Sequence, residues 1–253
     1  MEEIIGKSWA EALNKEELEI LKVKWDEIQE RRKLIEGEVL PLENNNSGIY
    51  YALKMTDFNK VKVLITGQDP YPNREDAHGL SFSKKSGGVP ASLKNIFCEI
   101  NNCTGINNSS GNLSTWTKQG VLLLNRALSF EKDLTLNKRL KFWKPVTDII
   151  IDKLLNRGKP LIVMLWGGPA NTMENFPIHK DEGFKKENIH ILRSSHPSNM
   201  GNAKNTRIMV EDKEVDAFIG CKHFAKCNEI LEKAGLEPVN WSTDCTRQTK
   251  LFS

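Results

Sequence analysis

Residues 61–83, VKVLITGQDPYPNREDAHGLSFS, indicate the fold more strongly than any other part of the sequence. They begin with an apolar, β-branched run, Val61 to Thr66, of the length and composition of a strand buried on both faces. The run ends at once in Gly67-Gln68-Asp69-Pro70-Tyr71-Pro72. Because ligands bind at the carboxyl ends of strands in open α/β sheets, we expect Asp69 to lie at a site.

The turn after this strand is chemically unusual. Pro70 and Pro72 each fix a φ angle and restrict the preceding residues, Asp69 and Tyr71, towards extended conformations. A rigidly placed carboxylate beside an aromatic ring suits a site that holds a flat ligand and activates water. A tight turn with a solvated Asp and a packed Tyr would explain the same residues, and the turn alone favours that simpler interpretation.

The composition is that of an ordinary globular protein. The 253 residues are 39% apolar and 27% charged, and no linker rich in Pro, Gly or Ser divides them. We therefore predict a single domain over residues 1–253, with an N-terminal helical segment of about residues 1–45 packed on it. The net charge of +3 permits a polyanionic partner without requiring one.

The cysteines and the N-terminus argue against several kinds of site and of targeting segment. The five cysteines are scattered and form no CxxC pair, which argues against a zinc site, an iron–sulfur cluster and a disulfide framework. We expect reduced thiols in an intracellular protein. The N-terminus, MEEIIGKSWAEAL, is acidic and amphipathic, unlike a signal peptide or membrane anchor. The expected location is therefore cytoplasmic, or the nucleus or a virus factory if the host is eukaryotic.

Four strand-like runs alternate with helical segments, which predicts a three-layer α/β/α domain with a central four-stranded parallel sheet. The predicted strands are Val61–Thr66, Val121–Leu124, Leu161–Trp166 and Ile189–Leu192. The predicted helical segments are Ser8–Lys33 (as two helices), Ile49–Phe58, Ser92–Asn101, Thr115–Gln119, Leu140–Asn156 and Phe218–Lys233.

Polar residues follow three of the four predicted strands. Asp69 and Tyr71 follow the first, Asn125 follows the second and His196 follows the fourth. Taken singly, Asn125 fits a turn cap better than a ligand group, and His196 fits a structural histidine equally well. The carboxyl ends of parallel strands share one edge of a sheet, so together these residues predict a site.

Seven motifs carry a resemblance to a known family. They are GQDPY at 67–71, AHGLSFS at 77–83, VPASL at 89–93, WTKQGVLLLN at 116–125, LWGGPA at 165–170, SSHPS at 194–198 and GCKHFAKCNEIL at 220–231. In this order the sequence resembles the family 1 uracil-DNA glycosylases over most of its length. The resemblance implies hydrolysis of the N-glycosidic bond of deoxyuridine in DNA by a monomer without metal or cofactor.

The same resemblance implies roles for individual residues. The catalytic residues would be Asp69, which orients or activates water and stabilises the cationic sugar, and His196, which hydrogen-bonds uracil O2. The uracil-binding residues would be Gln68, Tyr71, Phe82 and Asn125, with Tyr71 filling the space that the thymine methyl group needs. The DNA-binding residues would be Pro90, Ser92, Ser198 and the apolar wedge Met200. The implied partners are uracil-containing DNA, single- or double-stranded, and a proteinaceous inhibitor or replication partner.

The sequence departs from the family pattern in three places. Pro72 stands where His is common, the loop before Ser92 has Pro90 as its only proline, and residues 202–216 form a longer segment with Lys204, Arg207 and Lys213. The longer segment fits a tolerated surface insertion, or an altered grip on DNA or a protein partner.

Two alternative functions stay open. One is a glycosylase of the same fold for another modified pyrimidine, and the other is a non-catalytic DNA-binding or processivity module. The presence of Asp69 and His196 argues against the second, since binding alone needs neither residue.

Overall fold

A computed structural model of the chain describes residues 1–34, 39–167, 187–198, 208–210 and 213–244. Three sequence predictions concern positions outside these ranges. They are the wedge Met200, the end of the LWGGPA motif, and the basic residues Lys204 and Arg207 of the longer segment.

Short and long strands alternate with helices along the described chain. The strands are β1 (Val39–Leu40), β2 (Val63–Gly67), β3 (Val121–Asn125), β4 (Phe130–Glu131), β5 (Leu161–Trp166), β6 (Ile189–Ser194), β7 (Ile208–Val210) and β8 (Lys213–Val215). The helices are α1 (Glu2–Ile5), α2 (Lys7–Ala12), α3 (Lys15–Leu34), α4 (Tyr51–Met55), α5 (Ala91–Thr104), α6 (Ser114–Thr117), α7 (Leu136–Asn156) and α8 (His223–Lys233).

Within the described residues, the four long strands form one parallel sheet in the order β3-β2-β5-β6. Every residue of β2, β3 and β5 is buried. Because successive side chains of a strand point to opposite faces, complete burial requires cover on both faces of the sheet. The predicted α/β fold with four parallel strands is confirmed.

The longer helices pack in pairs. α3 contacts α7, and α5 contacts α8. The break between α2 and α3 follows from the sequence, because Asn14 Oδ1 accepts from Glu17 N at 2.9 Å and Glu17 Oε2 accepts from Asn14 N at 2.8 Å. This reciprocal capping satisfies free N–H groups at the start of α3, as the prediction of two helices between Ser8 and Lys33 requires. No described helix combines the length and apolar character needed to cross a membrane.

Two helix starts lie four and five residues from their predicted positions. α7 begins at Leu136 instead of Leu140, because Thr135 caps it by accepting from Lys138 N through its hydroxyl. α8 begins at His223 instead of Phe218, because Gly220 and Lys222 have φ values of 97° and 56°, which no right-handed helix contains.

The loop after α5 and the residues after α8 are bound to each other. Asn108 Nδ2 donates to Trp241 O at 2.9 Å, and Trp241 is fully buried against Trp116 with ring centroids 5.1 Å apart. These long-range contacts leave no pattern in the local sequence.

Candidate active site

The floor of the site lies where β2 and β3 end side by side. Gly67 is paired in register with Asn125, whose side chain is only 4% exposed. A Cβ atom at position 67 would lie 2.3 Å from Asn125 Oδ1 and 2.6 Å from Ser81 Cβ. Glycine at position 67 is therefore what lets the carboxamide of Asn125 occupy this position.

Asp69 lies two residues beyond β2 and is held by an arginine that the sequence analysis did not identify. Its Oδ2 atom accepts from Arg139 Nη2 at 2.6 Å, and its Oδ1 atom accepts from Gln68 Nε2 at 3.3 Å. Arg139 lies in the first turn of α7, one residue before the predicted start of that helix. Threonine is a common N-cap residue, so Thr135 was a sequence signal for an earlier start of α7 that would have included Arg139.

Tyr71 and Phe82 are joined by a hydrogen bond. The Tyr71 hydroxyl donates to the carbonyl oxygen of Phe82 at 3.0 Å, and burial raises the pKa of Tyr71 to about 12, so the phenol stays protonated and able to donate. Phe82 has a φ of 60°, a left-handed conformation that is uncommon outside glycine and Asn. Ser81 N, which donates to Leu123 O of β3 at 3.1 Å, fixes the strained segment against the sheet.

The ring of Phe82 faces the predicted second catalytic residue. Its centroid lies 6.0 Å from that of His196 and 5.4 Å from that of Trp166, the last residue of β5. His196 in turn lies against Gly167, where an added Cβ atom would be 3.0 Å from the Cβ of the histidine. Gly167 also has a φ of 95°, so a side chain is disfavoured there on two counts.

The hydrogen bonding of His196 defines its tautomer. Its Nδ1 atom accepts from Ser198 N at 3.0 Å, and burial lowers its pKa. A neutral ring that accepts at Nδ1 carries its proton on Nε2. Nε2–H is therefore available as a donor at neutral pH.

The loop that carries His196 is supported from two sides. Ser195 Oγ accepts from Phe218 N at 2.9 Å, and Ser195 N donates to Asp216 O at 2.9 Å. Asp216 directly follows β8, which pairs with β7 in an antiparallel hairpin, so the end of the longer segment is attached beside His196.

α5 connects this loop to the predicted DNA-binding positions Pro90 and Ser92. Asn95 Nδ2, on α5, donates to Pro197 O at 2.6 Å. Pro90 is the N-cap residue of the helix, and Ser92 is half-buried in its first turn. Glu99, farther along α5 and fully buried, accepts from Gly220 N at 2.6 Å and Lys222 N at 2.7 Å. α5 is thereby fixed to both the loop and the start of α8.

Contacts and short separations in sequence link five of the predicted site residues. Asn125 adjoins Gly67, Gly67 adjoins Ser81, Phe82 binds Tyr71 and faces His196, and Asp69 lies two residues beyond Gly67. Pro72, which replaces a common histidine, is exposed. Met200 lies outside the described residues. Among those residues, no three His, Cys, Asp or Glu side chains are grouped as a metal site would require.

A separate cavity of about 550 Å³ lies between α3 and α7. Of the side chains named so far in the site, Arg139 is the one that lines it. The remaining lining residues include apolar Val23, Leu134 and Phe142 and acidic Asp26, Glu30 and Glu131.

The structure defines an α/β protein with a carboxylate, a carboxamide and an imidazole at the carboxyl ends of parallel strands, and comparison with known proteins identifies the family. Residues 53–232 match the model of the uracil DNA glycosylase superfamily. The uracil-DNA glycosylase of Campylobacter hominis is 37% identical over 244 residues, which cover 96% of this chain and 94% of that relative. The uracil-DNA glycosylase of Bacillus licheniformis is 38% identical over 246 residues, covering 96% of this chain and 98% of that relative. The chain therefore belongs to the uracil-DNA glycosylase superfamily.

A solved structure supports the fold independently. The crystal structure of mimivirus uracil-DNA glycosylase superposes with a TM-score of 0.71 at 23% identity, over 94% of this chain and 90% of that one. At this level of identity the likeness concerns the fold alone.

Proposed function

We propose that the protein hydrolyses the N-glycosidic bond of deoxyuridine in DNA, releases uracil and leaves an abasic site for base excision repair. The observation that supports the proposal is that a carboxylate, a carboxamide and a neutral imidazole all lie at the carboxyl ends of strands of one parallel sheet. The relatives that share more than a third of this sequence are named for the same activity.

The reaction needs negative charge near the sugar and hydrogen-bond donors near the base. When the bond between C1′ and N1 breaks, its electron pair stays on uracil and the sugar becomes oxocarbenium-like. Preorganised groups of opposite charge stabilise such a transition state. In the proposed mechanism Asp69 faces the cationic sugar and accepts a proton from the water that attacks C1′.

His196 would stabilise the leaving group. Its neutral ring can donate from Nε2 to uracil O2, where negative charge develops. The Ser198 N–H bond to Nδ1 supports this role, because it keeps the acceptor side of the ring occupied and the donor side free. The backbone of Gln68 would contact the same oxygen.

Recognition of the base would depend on Asn125, Phe82 and Tyr71. A carboxamide offers one donor and one acceptor, which match uracil O4 and N3–H and mismatch the N4 and N3 atoms of cytosine. Leaving those buried polar groups unpaired with cytosine discriminates by about four to five powers of ten. The phenyl ring of Phe82 would stack on the base, and Tyr71, held by its bond to Phe82, would block the thymine methyl group.

A base in duplex DNA must leave the stack to reach this edge. We propose that Ser92 and Ser198 bind phosphates, that Pro90 shapes the loop before α5, and that Met200 fills the gap in the duplex. The bond from Asn95 to Pro197 supports the first part of this proposal, since it couples the two loops that would grip the backbone. We also propose that the protein acts on DNA inside the cell.

A protein inhibitor is a second proposed partner. A variant of mimivirus uracil-DNA glycosylase has been crystallised in complex with the inhibitor protein UGI. Its structure superposes on this chain with a TM-score of 0.71 at 22% identity. Binding of this chain to such an inhibitor would be measured by loss of uracil release on titration.

The direct test is release of uracil from a defined duplex and from the matching single strand. We expect release from both, none from a thymine-containing control, and loss of most turnover but not of DNA binding in Asp69→Asn. DNA binding without release of any base would favour the non-catalytic module. Preferential release of another modified pyrimidine would favour the same-fold alternative.

A further inference from the structure

We infer that Arg139 is a positioning residue for the reaction, which fixes the carboxylate of Asp69 so that one oxygen is anchored and the other faces the water. This inference rests on the proposed function. The bond from Arg139 Nη2 to Asp69 Oδ2 at 2.6 Å is its first observation.

The guanidinium of Arg139 is held by groups other than Asp69. Its Nη1 atom donates to Glu131 O at 3.0 Å and to Leu134 O at 2.8 Å, and its Cζ atom lies 4.5 Å from the centroid of the Phe130 ring. The planar guanidinium suits this arrangement because its donors have fixed directions. Arg139 is therefore a rigid anchor to which the aspartate side chain is attached.

The two oxygens of Asp69 differ in how they are held. Oδ2 carries the short bond to Arg139, whereas Oδ1 has a weak contact of 3.3 Å with the Gln68 amide. Pro70 restricts the backbone of Asp69, but it leaves the side-chain torsions free. Arg139 supplies the missing restraint and leaves Oδ1 for the water.

Neither the helix dipole nor the strength of the ion pair explains an arginine at this position. A cation in the first turn of a helix is opposed by the helix dipole, and a shielded ion pair is weak support for stability. The side chains of Arg139 and Asp69 are 7% and 18% exposed, so the pair is screened little by salt.

The cavity between α3 and α7 provides a route to test the inference chemically. Arg139 lines it whereas Asp69 does not, and Asp26, Glu30 and Glu131 contribute carboxyl groups to its wall. A small cation such as methylguanidinium can enter a cavity of this size and chemistry and replace a deleted guanidinium.

The test compares Arg139→Met, Arg139→Lys and Arg139→Ala in single-turnover release of uracil. Since misplacing a catalytic group by about 1 Å costs on the order of 100-fold, we expect a loss of about that size for Arg139→Met, a smaller loss for Arg139→Lys, and unchanged affinity for DNA. Methylguanidinium should restore part of the rate of Arg139→Ala.

Arg157 offers a matched control. It too donates to two backbone carbonyls, those of Phe58 and Val61, and lies over the Phe58 ring, but it contacts no proposed site residue. Arg157→Met should lower the melting temperature and leave the rate per folded molecule unchanged.

A double-mutant cycle separates positioning from a purely structural role. If Arg139 acts through Asp69, Arg139→Met should cost little further rate in an Asp69→Asn background. The inference would be overturned if Arg139→Met lost the same factor in rate in both backgrounds. It would also be overturned if folded Arg139→Met or Arg139→Lys released uracil at the normal rate or faster, or if Arg157→Met lost as much rate as Arg139→Met. Absence of uracil release by the unmodified protein would instead overturn the proposed function.

Discussion

Gly67 and Asn125 end two neighbouring parallel strands at the same level, and the carboxamide oxygen of Asn125 occupies the space that a side chain at position 67 would need. The sheet register therefore sets the position of the carboxamide. A parallel pair places the last residues of both strands at one edge, and glycine in one strand makes room for the carboxamide of the other.

Gly67→Ala should lower uracil release by about 100-fold, because the added methyl group displaces Asn125. Gly88→Ala is the matched control, since a Cβ atom there has no neighbour within 4 Å. Both variants are compared by single-turnover release and by melting temperature. Wild-type release by Gly67→Ala would mean that Asn125 does not read the base.

Two variants at Ser198 should separate binding of phosphate from orientation of His196. Ser198→Ala keeps the backbone N–H that binds Nδ1, so it should weaken DNA binding by about tenfold with little change in the rate of release. Ser198→Pro removes that N–H and should lower the rate by about tenfold or more. Equal rates for the two variants would contradict the assigned role of the N–H group.

Variants of Tyr71 should change the selection against thymine. Tyr71→Phe loses the bond to Phe82 but keeps the ring, so thymine should stay excluded, at a cost in stability of about 1 kcal/mol. Tyr71→Ala should open the space and allow measurable release of thymine. Continued exclusion of thymine by Tyr71→Ala would show that another group provides the steric block.

The buried histidines should make the protein less stable as the pH falls. An unfolded histidine binds a proton near pH 6.5, whereas burial lowers the pKa of His78 to about 4 and that of His223 to about 3. Their contribution to the free energy of unfolding is therefore fully present above about pH 6.5 and is lost progressively as the pH falls towards these folded-state pKa values. Each residue contributes a slope of about 1.4 kcal/mol per pH unit in that window.

His223→Gln isolates one of these contributions. His223 Nδ1 accepts from Trp166 Nε1 at 3.1 Å, and a glutamine oxygen can replace that acceptor without titrating. The free energy of unfolding, measured in urea at pH 7.5, 6 and 5, should fall less steeply in the variant. Parallel curves for the two proteins would show that His223 titrates normally in the folded state.

Glu99→Gln should destabilise the fold by about 2 kcal/mol, because a buried carboxylate that accepts two N–H bonds loses one of them. Glu232→Gln, an exposed change on α8, should stay within about 0.5 kcal/mol of the unmodified protein. Urea unfolding provides both values. A similar stability for the two variants would mean that Glu99 does not hold α5 to the start of α8.

The strands were predictable from the sequence because local patterns define them. β2, β3 and β5 are buried on both faces and therefore consist mostly of apolar residues, while Gly67 and Gly167 mark where two of them end. The two-residue ladder between β1 and β4 was missed, since two residues are too short for an alternating pattern and the partners are remote in sequence.

By itself, the sequence determined the class of fold, the order of the polar residues and the family, because strand burial and the motifs around Asp69, Asn125 and His196 are encoded locally. The tertiary structure alone decided that Arg139 binds Asp69, that Ser198 N fixes the tautomer of His196, and that Trp241 packs against Trp116. These contacts depend on side-chain directions and on distances between residues far apart in the chain, which no local pattern of residue types specifies.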